Sequence, residues 1–399
     1  MANCNIHLIL MKKLLFLFAI LLIHVISFAQ IDPRNFGAKA DGVSDDTDAL
    51  YRSIAHCMSY PQYKTPELWL YAGVYRITRP LVIGGYAVKP ADCFVNNLAT
   101  RYNGTSKFNY SEYMKGCYSA AIKIKGIGTV SIYADFNDST ELSPAIVYQA
   151  AGDGRIATST CQLTAEISNI GIYAKGTFDA QGRPLARPVP PYKTNNQVGL
   201  LALYTNGLRL YDVSFKGFKE GIIINNCCFL DVRNLKVEYC QRALFEIQSA
   251  TSQYSNVAVY FCDKGFELRS NQLKVDTYYA HTCGVGLHVA ASNNKFLSVY
   301  LESLKTTEGQ LVIGDNPGDP IVSPLLIRGV DFDMLTMVAM KSPVEPGNGI
   351  VWKDNARRMT INGGEIQSCT FVYPSHLLTK TYYEGLTGNL PAAVSIKLD

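Results

Sequence analysis

The chain has 399 residues, of which 18% are charged, and its formal net charge at pH 7 is +4. A balance this close to neutrality excludes the strongly basic surface by which a protein attracts nucleic acid or an anionic membrane. The length would suit two ordinary domains, but a solenoid grows by adding coils, and there length measures height rather than domain number.

The first thirty residues have the composition of a secretory signal peptide. Lys12 and Lys13 precede the apolar run 14–28, and Ser27-Phe28-Ala29 has the small-x-small spacing of a cleavage site. The alternative is a retained anchor, but the apolar run is short for a bilayer span of about 20 residues. We therefore expect cleavage near residue 30, no membrane span in the mature chain, and a periplasmic, cell-surface or secreted protein.

A strand, a glycine-bearing turn and a helix start follow directly, in the stretch 35–50, which reads NFGAKADGVSDDTDAL. Ser44 or Asp45 can cap the first helical amides, and Asp46 and Asp48 suit the positive end of the helix dipole. The helix carries an apolar stripe at i, i+4, i+7 and i+8, made of Leu50, Ile54, Cys57 and Met58. We predict a helical cap within 35–60 that closes the N-terminal end of a solenoid, with Asp45 and Asp46 as capping rather than catalytic residues.

Between residues 85 and 197, short strand-like pieces alternate with two long loops. The strand-like pieces are 128–136, 145–148 and 163–173. Loop 85–120 is rich in Tyr, Phe, Asn and Gly, and it either packs on its own coil or stacks against sugar rings. Loop 176–197 carries several prolines, which stiffen it.

From residue 199 to residue 309 one local pattern recurs at a nearly constant interval. A period in the low twenties fits either a leucine-rich horseshoe or a parallel β-helix. The units hold β-rich runs such as Ile222-Ile223-Ile224 and no leucine-rich consensus, which favours the β-helix. The markers of the period, at steps of 22, 22, 22, 21 and 23 residues, are Gly199, Gly221, Ala243, Gly265, Gly286 and Gly309.

Three of the 11 cysteines occupy the same position in successive units. Cys240, Cys262 and Cys283 each stand three residues ahead of a marker, and we predict that they are small apolar fillers of an interior ladder. The coil spacing also allows a disulfide between neighbours, and this alternative stays open. Cys93 and Cys117 form a better candidate disulfide pair, and no Cys or His grouping suggests zinc.

Beyond the regular block, longer corners at 303–324 and 341–348 interrupt the period. We predict further strands at 325–332, 350–352 and 359–361. The tail has two more strand-like runs, 371–373 and 394–398, and we expect it to cover the last coil.

The stretches 35–50, 68–77 (LWLYAGVYRI) and 124–128 (IKGIG) closely resemble the N-terminal signature of the pectate lyase-like superfamily. That superfamily includes rhamnogalacturonase-like and polygalacturonase-like proteins and phage tailspike depolymerases. With the coil repeat, the resemblance covers most of residues 35–370. It implies one all-β domain over 31–399, a right-handed single-stranded parallel β-helix with an N-terminal capping helix, and a polysaccharide as substrate. It leaves open a monomer or a trimer of the tailspike kind.

The resemblance does not supply the catalytic residues. Polygalacturonase-like enzymes carry Asn-Thr-Asp, Asp-Asp, Gly-His-Gly and Arg-Ile-Lys elements, and this chain matches only the second, in its N-terminal pair Asp45-Asp46. The Arg-x-Pro-x-x-Arg element of pectate lyases is not matched by residues 183–191. We predict no cofactor or metal; calcium would enter only if the protein were a calcium-assisted lyase.

Alignment of the coils sorts the strand residues by the face to which they point, because successive strand residues face opposite ways. The predicted inward column is Val237, Val259, Ala280 and Leu301. Its outward neighbours are Lys216, Glu238, Tyr260, His281 and Glu302. A second outward column is Ser214, Lys236, Ala258, Tyr279 and Tyr300. Strict alternation would also turn the cysteines outward, so an interior cysteine ladder requires a bend just before it.

The outward columns are either an ordinary solvated sheet face or a glycan groove. A groove would use aromatic side chains for sugar rings and carboxylates for acid and base work. Hydrolysis of a glycosidic bond normally needs two carboxyl groups, which Glu302 could form with Asp331 or Asp333. The candidate catalytic residues are Glu302, Asp331, Asp333, His281 and Glu238, with Glu238 about three coils from Glu302. The candidate substrate-binding residues are Tyr260, Tyr279, Tyr300, Lys236 and Lys216.

The sequence therefore predicts an exported β-helix that acts on a pectin-like or other acidic glycan, most simply as a glycoside hydrolase. A polysaccharide lyase and a non-catalytic glycan-binding or surface β-helix are the alternatives. A tight acidic cluster, which calcium-assisted lyase chemistry would need, does not stand out in the regular block.

Overall fold

The computed structural model describes residues 30–59, 66–84, 122–136, 143–149, 165–185, 196–203, 205, 207–225, 227–303, 308–314, 327, 329–339, 348–353, 359–367, 370–372, 381–383 and 386–388. The predicted signal peptide, the pair Cys93 and Cys117, and the run 394–398 lie outside the described residues. So do loop 85–120 and much of loop 176–197.

Within these residues the chain is almost entirely β-structure, with one α-helix, α1 (Thr47–Met58), and one 3-10 helix, Pro33–Phe36. The strands up to the regular block are β1 (Gln30–Ile31), β2 (Asp41–Asp45), β3 (Glu67–Ile77), β4 (Leu81–Gly84), β5 (Lys123–Ala134), β6 (Ser143–Gln149) and β7 (Glu166–Ala174). Those of the regular block are β8 (Gln197–Leu203), β9 (Arg209–Lys216), β10 (Glu220–Asn225), β11 (Asp231–Glu238), β12 (Arg242–Ala250), β13 (Gln253–Tyr260), β14 (Lys264–Asn271), β15 (Lys274–Cys283), β16 (Val285–Val289) and β17 (Asn294–Ser303). The last are β18 (Leu311–Ile313), β19 (Val330–Ala339), β20 (Asn348–Trp352), β21 (Met359–Ile361), β22 (Gly364–Gln367), β23 (Thr370–Val372), β24 (Thr381–Tyr383) and β25 (Leu386–Gly388).

The strands form two long parallel sheets, and through most of the chain successive strands alternate between them. Sheet A follows the order β1-β3-β5-β7-β9-β11-β13-β15-β17-β19-β21-β24, with β2 beside β3, β22 beside β19 and β25 beside β22. Sheet B follows the order β23-β20-β18-β16-β14-β12-β10-β8-β6-β4. A chain that visits both sheets in every turn and stacks each strand on its predecessor is a β-helix, and parallel crossovers of this kind are right-handed. The predicted right-handed parallel β-helix is confirmed.

Each regular coil turns at residues whose backbone angles lie in the left-handed region, which residues other than glycine rarely adopt. These residues recur in three columns and have φ angles between 53° and 61°. The first column is Asn169, Asp212, Asn234 and Asn256, the second is Tyr239, Phe261 and Thr282, and the third is Phe229, Thr251, Gln272 and Asn293. The first column bends the strands of sheet A in the middle, the second lies at their C-terminal ends, and the third lies just before the next strand of sheet A.

The side chains of the first corner column bond to one another from coil to coil. Asn256 Nδ2 donates to Asn234 Oδ1 at 2.7 Å, and Asn234 Nδ2 donates to Asp212 Oδ1 at 2.8 Å. Asn and Asp tolerate the left-handed region better than other side chains with a Cβ. The column therefore satisfies a backbone requirement and aligns neighbouring coils at the same time.

The second corner explains how the cysteine column reaches the interior. Strict alternation along the strand would point the cysteines outward. The left-handed backbone at Tyr239, Phe261 and Thr282 interrupts this alternation, so the cysteine that follows each of them points inward. The exposed fractions of Cys240, Cys262 and Cys283 are 0%, 3% and 0%. The predicted interior ladder is confirmed, and the six cysteines of the described residues are all free thiols.

Coil-to-coil register brings like residues together in the core. Val237 pairs with Val259, Val259 with Ala280, and Ala280 with Leu301, as the inward column predicts, and all four are buried. The marker glycines serve close approach between coils, since a Cβ at Gly221 would collide with the Ala243 carbonyl oxygen of the next coil.

The N-terminal cap agrees with its prediction in position and differs in one detail. Leu50, Ile54 and Cys57 of α1 are buried. Asp45 Oδ1 accepts from the Thr47 amide at 3.0 Å, as a capping residue does. Asp46 instead accepts from the amides of Lys39 and Ala40 at 2.6 and 3.0 Å, so it pins the preceding turn rather than the helix.

Two other strand predictions change. The strand expected at 325–332 begins at Val330 and continues to Ala339. It pairs with β17 along most of its length and so adds the next strand to sheet A. The tail, for which the sequence showed no period, adds β24 and β25 to sheet A.

One carboxylate lies inside the solenoid. Glu246 has an exposed fraction of 0%, and its register partners on the neighbouring coils are Ile224 and Leu268. The Tyr254 hydroxyl donates to one of its oxygens, and Ser252 Oγ donates to the other at 3.1 Å. Burial raises the pKa of Glu246 to about 7, although both hydroxyls act to lower it.

This carboxylate should make the stability of the protein depend on pH. Between pH 4.5, the ordinary pKa of Glu, and about 7, the folded chain keeps a proton that the unfolded chain releases. The free energy of unfolding should therefore fall by roughly 3 kcal/mol as the pH rises through this range. Glu246→Gln should remove most of that fall, as measured by urea unfolding of both proteins between pH 4 and 8. A stability difference between them that stayed constant with pH would contradict the assignment.

The corner ladder predicts a ranking of substitutions at Asn234. Asn234→Gly keeps the left-handed backbone and loses both side-chain hydrogen bonds, whereas Asn234→Ala loses the bonds and adds backbone strain. We expect Asn234→Ala to cost about 1–2 kcal/mol and Asn234→Gly less than that. Thermal unfolding of both variants tests the ranking, and equal losses would show that backbone strain contributes little.

Candidate functional site

The register of sheet A brings the two predicted outward columns together. Along the first, Lys216, Glu238, Tyr260, His281 and Glu302 are successive register partners. Along the second, Ser214, Lys236, Ala258, Tyr279 and Tyr300 are successive register partners. We call these two columns the outer face of sheet A.

Glu302 is the centre of a small polar group on this face. His281 Nε2 lies 3.5 Å from Glu302 Oε1, and the Tyr300 hydroxyl donates to Glu302 Oε2 at 3.3 Å. The other ring nitrogen of His281 lies 2.8 Å from Thr282 Oγ1. Burial, followed by the negative charge of Glu302, raises the pKa of Tyr300, so its hydroxyl stays a donor at neutral pH. A histidine and a carboxylate in contact, each about a quarter exposed, can exchange protons with a bound ligand.

The aromatic rings of this face stack on one another along the solenoid axis. Tyr279 and Tyr300 lie 5.1 Å apart between ring centroids with an angle of 16° between planes. At the adjoining second corner, Tyr239 and Phe261 lie 4.9 Å apart at 13°. Each ring of a stacked pair turns one face to its neighbour, so that face is closed to a sugar. That Tyr279 and Tyr300 bind substrate stays a prediction.

Lysines flank the rings at the N-terminal end of the face. Lys236 Nζ lies 3.0 Å from Glu238 Oε1 and 5.4 Å from the centroid of the Tyr260 ring. Lys216 Nζ lies 5.4 Å from the centroid of the Tyr239 ring. Glu238 is three coil steps from Glu302, about 14 Å, which confirms that these two carboxylates do not form a catalytic pair.

The expected pairing of Glu302 with Asp331 or Asp333 is wrong. The register partner of Glu302 on β19 is Val338, whereas Asp331 pairs with Lys295, at the opposite end of β17. The aspartates are thus five to seven residues, roughly 16–23 Å, from the position opposite Glu302. Asp333 Oδ2 lies 3.2 Å from Lys295 Nζ, so this aspartate forms a separate ion pair.

Glu365 of β22 continues the second column of the outer face beyond Tyr300. Tyr300 pairs with Thr336, and Thr336 pairs with Glu365. The Glu365 side chain is exposed. Thr336 and Val338 lie between Glu302 and Glu365 on the same face. Sequence reasoning missed Glu365 because the corners after residue 303 break the period, so the column could not be continued by counting.

Sheet B carries a charged network that sequence reasoning also missed. Arg242 Nε lies 2.7 Å from Glu220 Oε2, and Arg242 Nη1 lies 2.7 Å from Glu267 Oε2. Arg269 Nε donates to Glu267 Oε1 at 2.8 Å. Burial acts to raise the pKa of Glu267, but the two guanidinium groups outweigh it and hold this pKa well below its usual range. Burial raises the pKa of Glu220 despite its bond to Arg242.

This network had a signal in the sequence, since Glu220, Arg242 and Lys264 occupy one coil position at steps of 22. The side chains of Arg242, Glu220, Glu267 and Arg269 are at most 12% exposed, so they are closed to a polymeric ligand. Removal of one of these charges would leave its partner buried and unpaired, so the network fits a role in the fold better than one in catalysis.

The described residues hold neither a metal-binding cluster nor a membrane-spanning helix. No three His, Cys, Asp or Glu side chains there are grouped as a metal ion requires. No helix among them is both long and apolar enough to cross a membrane.

The fold recurs in solved structures of low sequence identity. The ORF18 protein of Geobacillus virus E2 matches at 10% identity and a TM-score of 0.51, over 92% of this chain and 61% of that one. The tailspike protein of Acinetobacter baumannii phage AM24 matches at 12% identity and a TM-score of 0.52, over 93% of this chain and 56% of that one. The chain thus spans less than two thirds of either protein.

A search of curated protein sequences gave no match. The model of one protein family, described as rhamnogalacturonase A/epimerase, pectate lyase-like, matches residues 31–267. That match covers more than half of the chain, from the first strand into the middle of the regular coils. The chain belongs to the rhamnogalacturonase A/epimerase family of pectate lyase-like proteins.

Proposed function

We propose that the protein is an exported glycoside hydrolase that cleaves an acidic polysaccharide bound along the outer face of sheet A. The observation that carries the proposal is the group around Glu302, where a carboxylate contacts His281 and Tyr300 on an outward column of stacked coils. The family name, which includes rhamnogalacturonase, supports a pectin-like substrate.

The shape and chemistry of the outer face suit an extended glycan. Its columns run along the solenoid axis, so one polymer can contact several coils in succession. Tyrosine hydroxyls at ring edges donate hydrogen bonds to sugar hydroxyls. Lys216 supplies positive charge at the N-terminal end of the face, where Lys236 is paired with Glu238, and this charge favours a polymer that carries carboxylate or sulfate groups.

For the chemical step we assign the second carboxyl group to Glu365. Two coil steps and two strand residues separate it from Glu302, which corresponds to about 12 Å between Cα atoms. Two glutamate side chains that lean toward each other can bring their carboxyl groups within the roughly 6.5–9.5 Å of an inverting pair. Thr336 and Val338 would then form the floor of the subsite, beneath the bond to be cleaved.

In this mechanism one carboxyl group protonates the leaving oxygen and the other activates a water molecule. Glu302 suits the first role because His281 and Thr282 connect it to a relay that can return a proton. Glu365, which is exposed, suits the second role. His281, Tyr260 and Tyr279 orient the sugars on the N-terminal side of this pair, Tyr300 lies beside Glu302, and Glu238 with Lys236 contacts a more distant sugar.

Removal of either carboxyl group should abolish hydrolysis without unfolding the protein. We expect Glu302→Gln and Glu365→Gln each to lower kcat on pectic polysaccharides by at least about 100-fold, the usual contribution of a catalytic acid or base. Asp212→Asn is a matched control, since it removes a carboxylate from a distant coil and places Asn where the next coils have it. Reducing ends report the activity, and circular dichroism reports the fold.

The same assay separates the alternatives. Absorbance of unsaturated uronates among the products would indicate a lyase, and binding of polysaccharide with neither product would indicate a binding module. Full activity in both glutamate variants would rule out the outer face of sheet A as the catalytic site.

The lysines predict a dependence on substrate charge. Replacement of both Lys216 and Lys236 by Gln should raise KM for an acidic glycan several-fold, and the effect should shrink at high salt because salt screens exposed charges. A neutral glycan should be unaffected. Lys274→Gln, which removes an equally exposed lysine paired with Asp276, is the control. An equal loss on acidic and neutral glycans would mean that the lysines act through packing.

A further inference from the structure

Two aromatic side chains at the second corner lie beside the outer face of sheet A. The column of this corner runs through Gly217, Tyr239, Phe261 and Thr282, all with a positive φ angle. The amide of each of the first three donates to the carbonyl of the residue that precedes the next, so the four are neighbours on successive coils. The stack of Tyr239 on Phe261 therefore has a glycine on one side and a threonine on the other.

Phe261 is costly to the fold in two ways. Its φ angle is 56°, in a region where a bulky side chain is an outlier. Its exposed fraction is 40%, so much of an apolar ring faces water. At the first corner Asn234 and Asn256 meet the same backbone requirement with less strain and bond to each other, which a phenyl ring cannot do. Strained residues cluster at active sites and ligand clamps, so the cost of Phe261 points to a ligand.

One face of the Phe261 ring is free of stacking. Tyr239 covers the other face, with 4.9 Å between centroids and 13° between planes. On the free side the next member of the column is Thr282, whose side chain is too short to extend across a phenyl ring. His281 lies 6.0 Å away between centroids at 80°, so it stands beside the ring and does not stack on it. The exposure of the ring and the lack of a second stacking partner among the described residues leave this face to a ligand.

The free face of Phe261 adjoins the group around Glu302. Thr282 Oγ1 lies 2.8 Å from His281 Nδ1, and His281 Nε2 lies 3.5 Å from Glu302 Oε1. A ligand ring that stacks on Phe261 above Thr282 is therefore next to His281. A pyranose has C–H groups on its ring faces and hydroxyls at its rim, so it can pack on the phenyl ring and bond to His281 and Thr282 at the same time.

We propose that Phe261 is a stacking platform for one sugar ring of the bound polysaccharide, at a subsite on the second corner beside His281. The proposal rests on the proposed function and adds a subsite that the two columns of the outer face do not include. The platform takes a pyranose that presents at least one face of C–H groups. A sugar with an axial hydroxyl on one face stacks through its other face.

Binding by matched variants tests the platform without any reaction. All variants carry Glu302→Gln, so that substrate is not consumed, and titrations use polygalacturonate and rhamnogalacturonan. Phe261→Asn should weaken binding by roughly 2- to 10-fold, the usual worth of an aromatic stacking contact. It should not lower the midpoint of thermal unfolding, because asparagine suits the left-handed backbone.

Phe229→Asn is the matched control. Phe229 is 62% exposed and has a φ angle of 55°, but it lies at the third corner, at the opposite end of the sheet A strands. The same substitution there should leave binding unchanged. An equal loss of affinity in the Phe229 and Phe261 variants would overturn the proposal, since exposed rings would then act without regard to their position.

Phe261→Trp gives a second, local readout. An indole ring preserves the platform, so this variant should bind at least as tightly as its parent. Its additional tryptophan emission should shift to shorter wavelength when a sugar covers the ring. Binding without that shift, or undiminished affinity in Phe261→Asn, would overturn the platform and leave the proposed function standing. If the Glu302→Gln parent bound neither polysaccharide, the proposed function and the platform would both be wrong.

Discussion

The regular coils depend on the left-handed corner residues. Each of these residues redirects the backbone and changes which face the next side chain occupies, so the three columns of corners determine what is inside the solenoid and what is outside. The column that contains Asn234 shows how the sequence provides these corners. Asparagine accepts the left-handed backbone conformation, and its side-chain amide forms a hydrogen bond to the neighbouring coil. Once the corners are aligned, the core residues and the outer face follow from alternation alone.

The proposed site follows from the same alignment. His281 and Glu302 are 21 residues apart in the chain and become neighbours only because their coils stack in register. No loop is needed to bring them together, because the strand pairing of sheet A itself sets their positions. The stacked rings of Tyr279 and Tyr300 have the same origin, and their stacking limits what they can offer a sugar.

The sequence was sufficient wherever the period was regular. The inward column from Val237 to Leu301 and the outward column from Lys216 to Glu302 were predicted residue by residue, because one spacing repeats there. Prediction failed beyond residue 303, where corners of unequal length hide the register, and this is why Asp331 was paired with Glu302 and Glu365 was missed. The facing of Cys240 was ambiguous for a different reason, since only backbone angles reveal that Tyr239 reverses the alternation.

The nearly constant 22-residue repeat also couples the size of this molecule to the length of ligand it can hold. Because neighbouring coils contact only each other, a gene duplication or deletion of one whole coil would preserve every corner and every core column, and would change the outer face of sheet A by one step of about 4.8 Å. Loss of part of a coil would instead remove residues from the core columns and corners of that coil. Evolution of such a protein is therefore expected to proceed in units of one coil, with each unit adding or removing one segment of a polymer-binding surface.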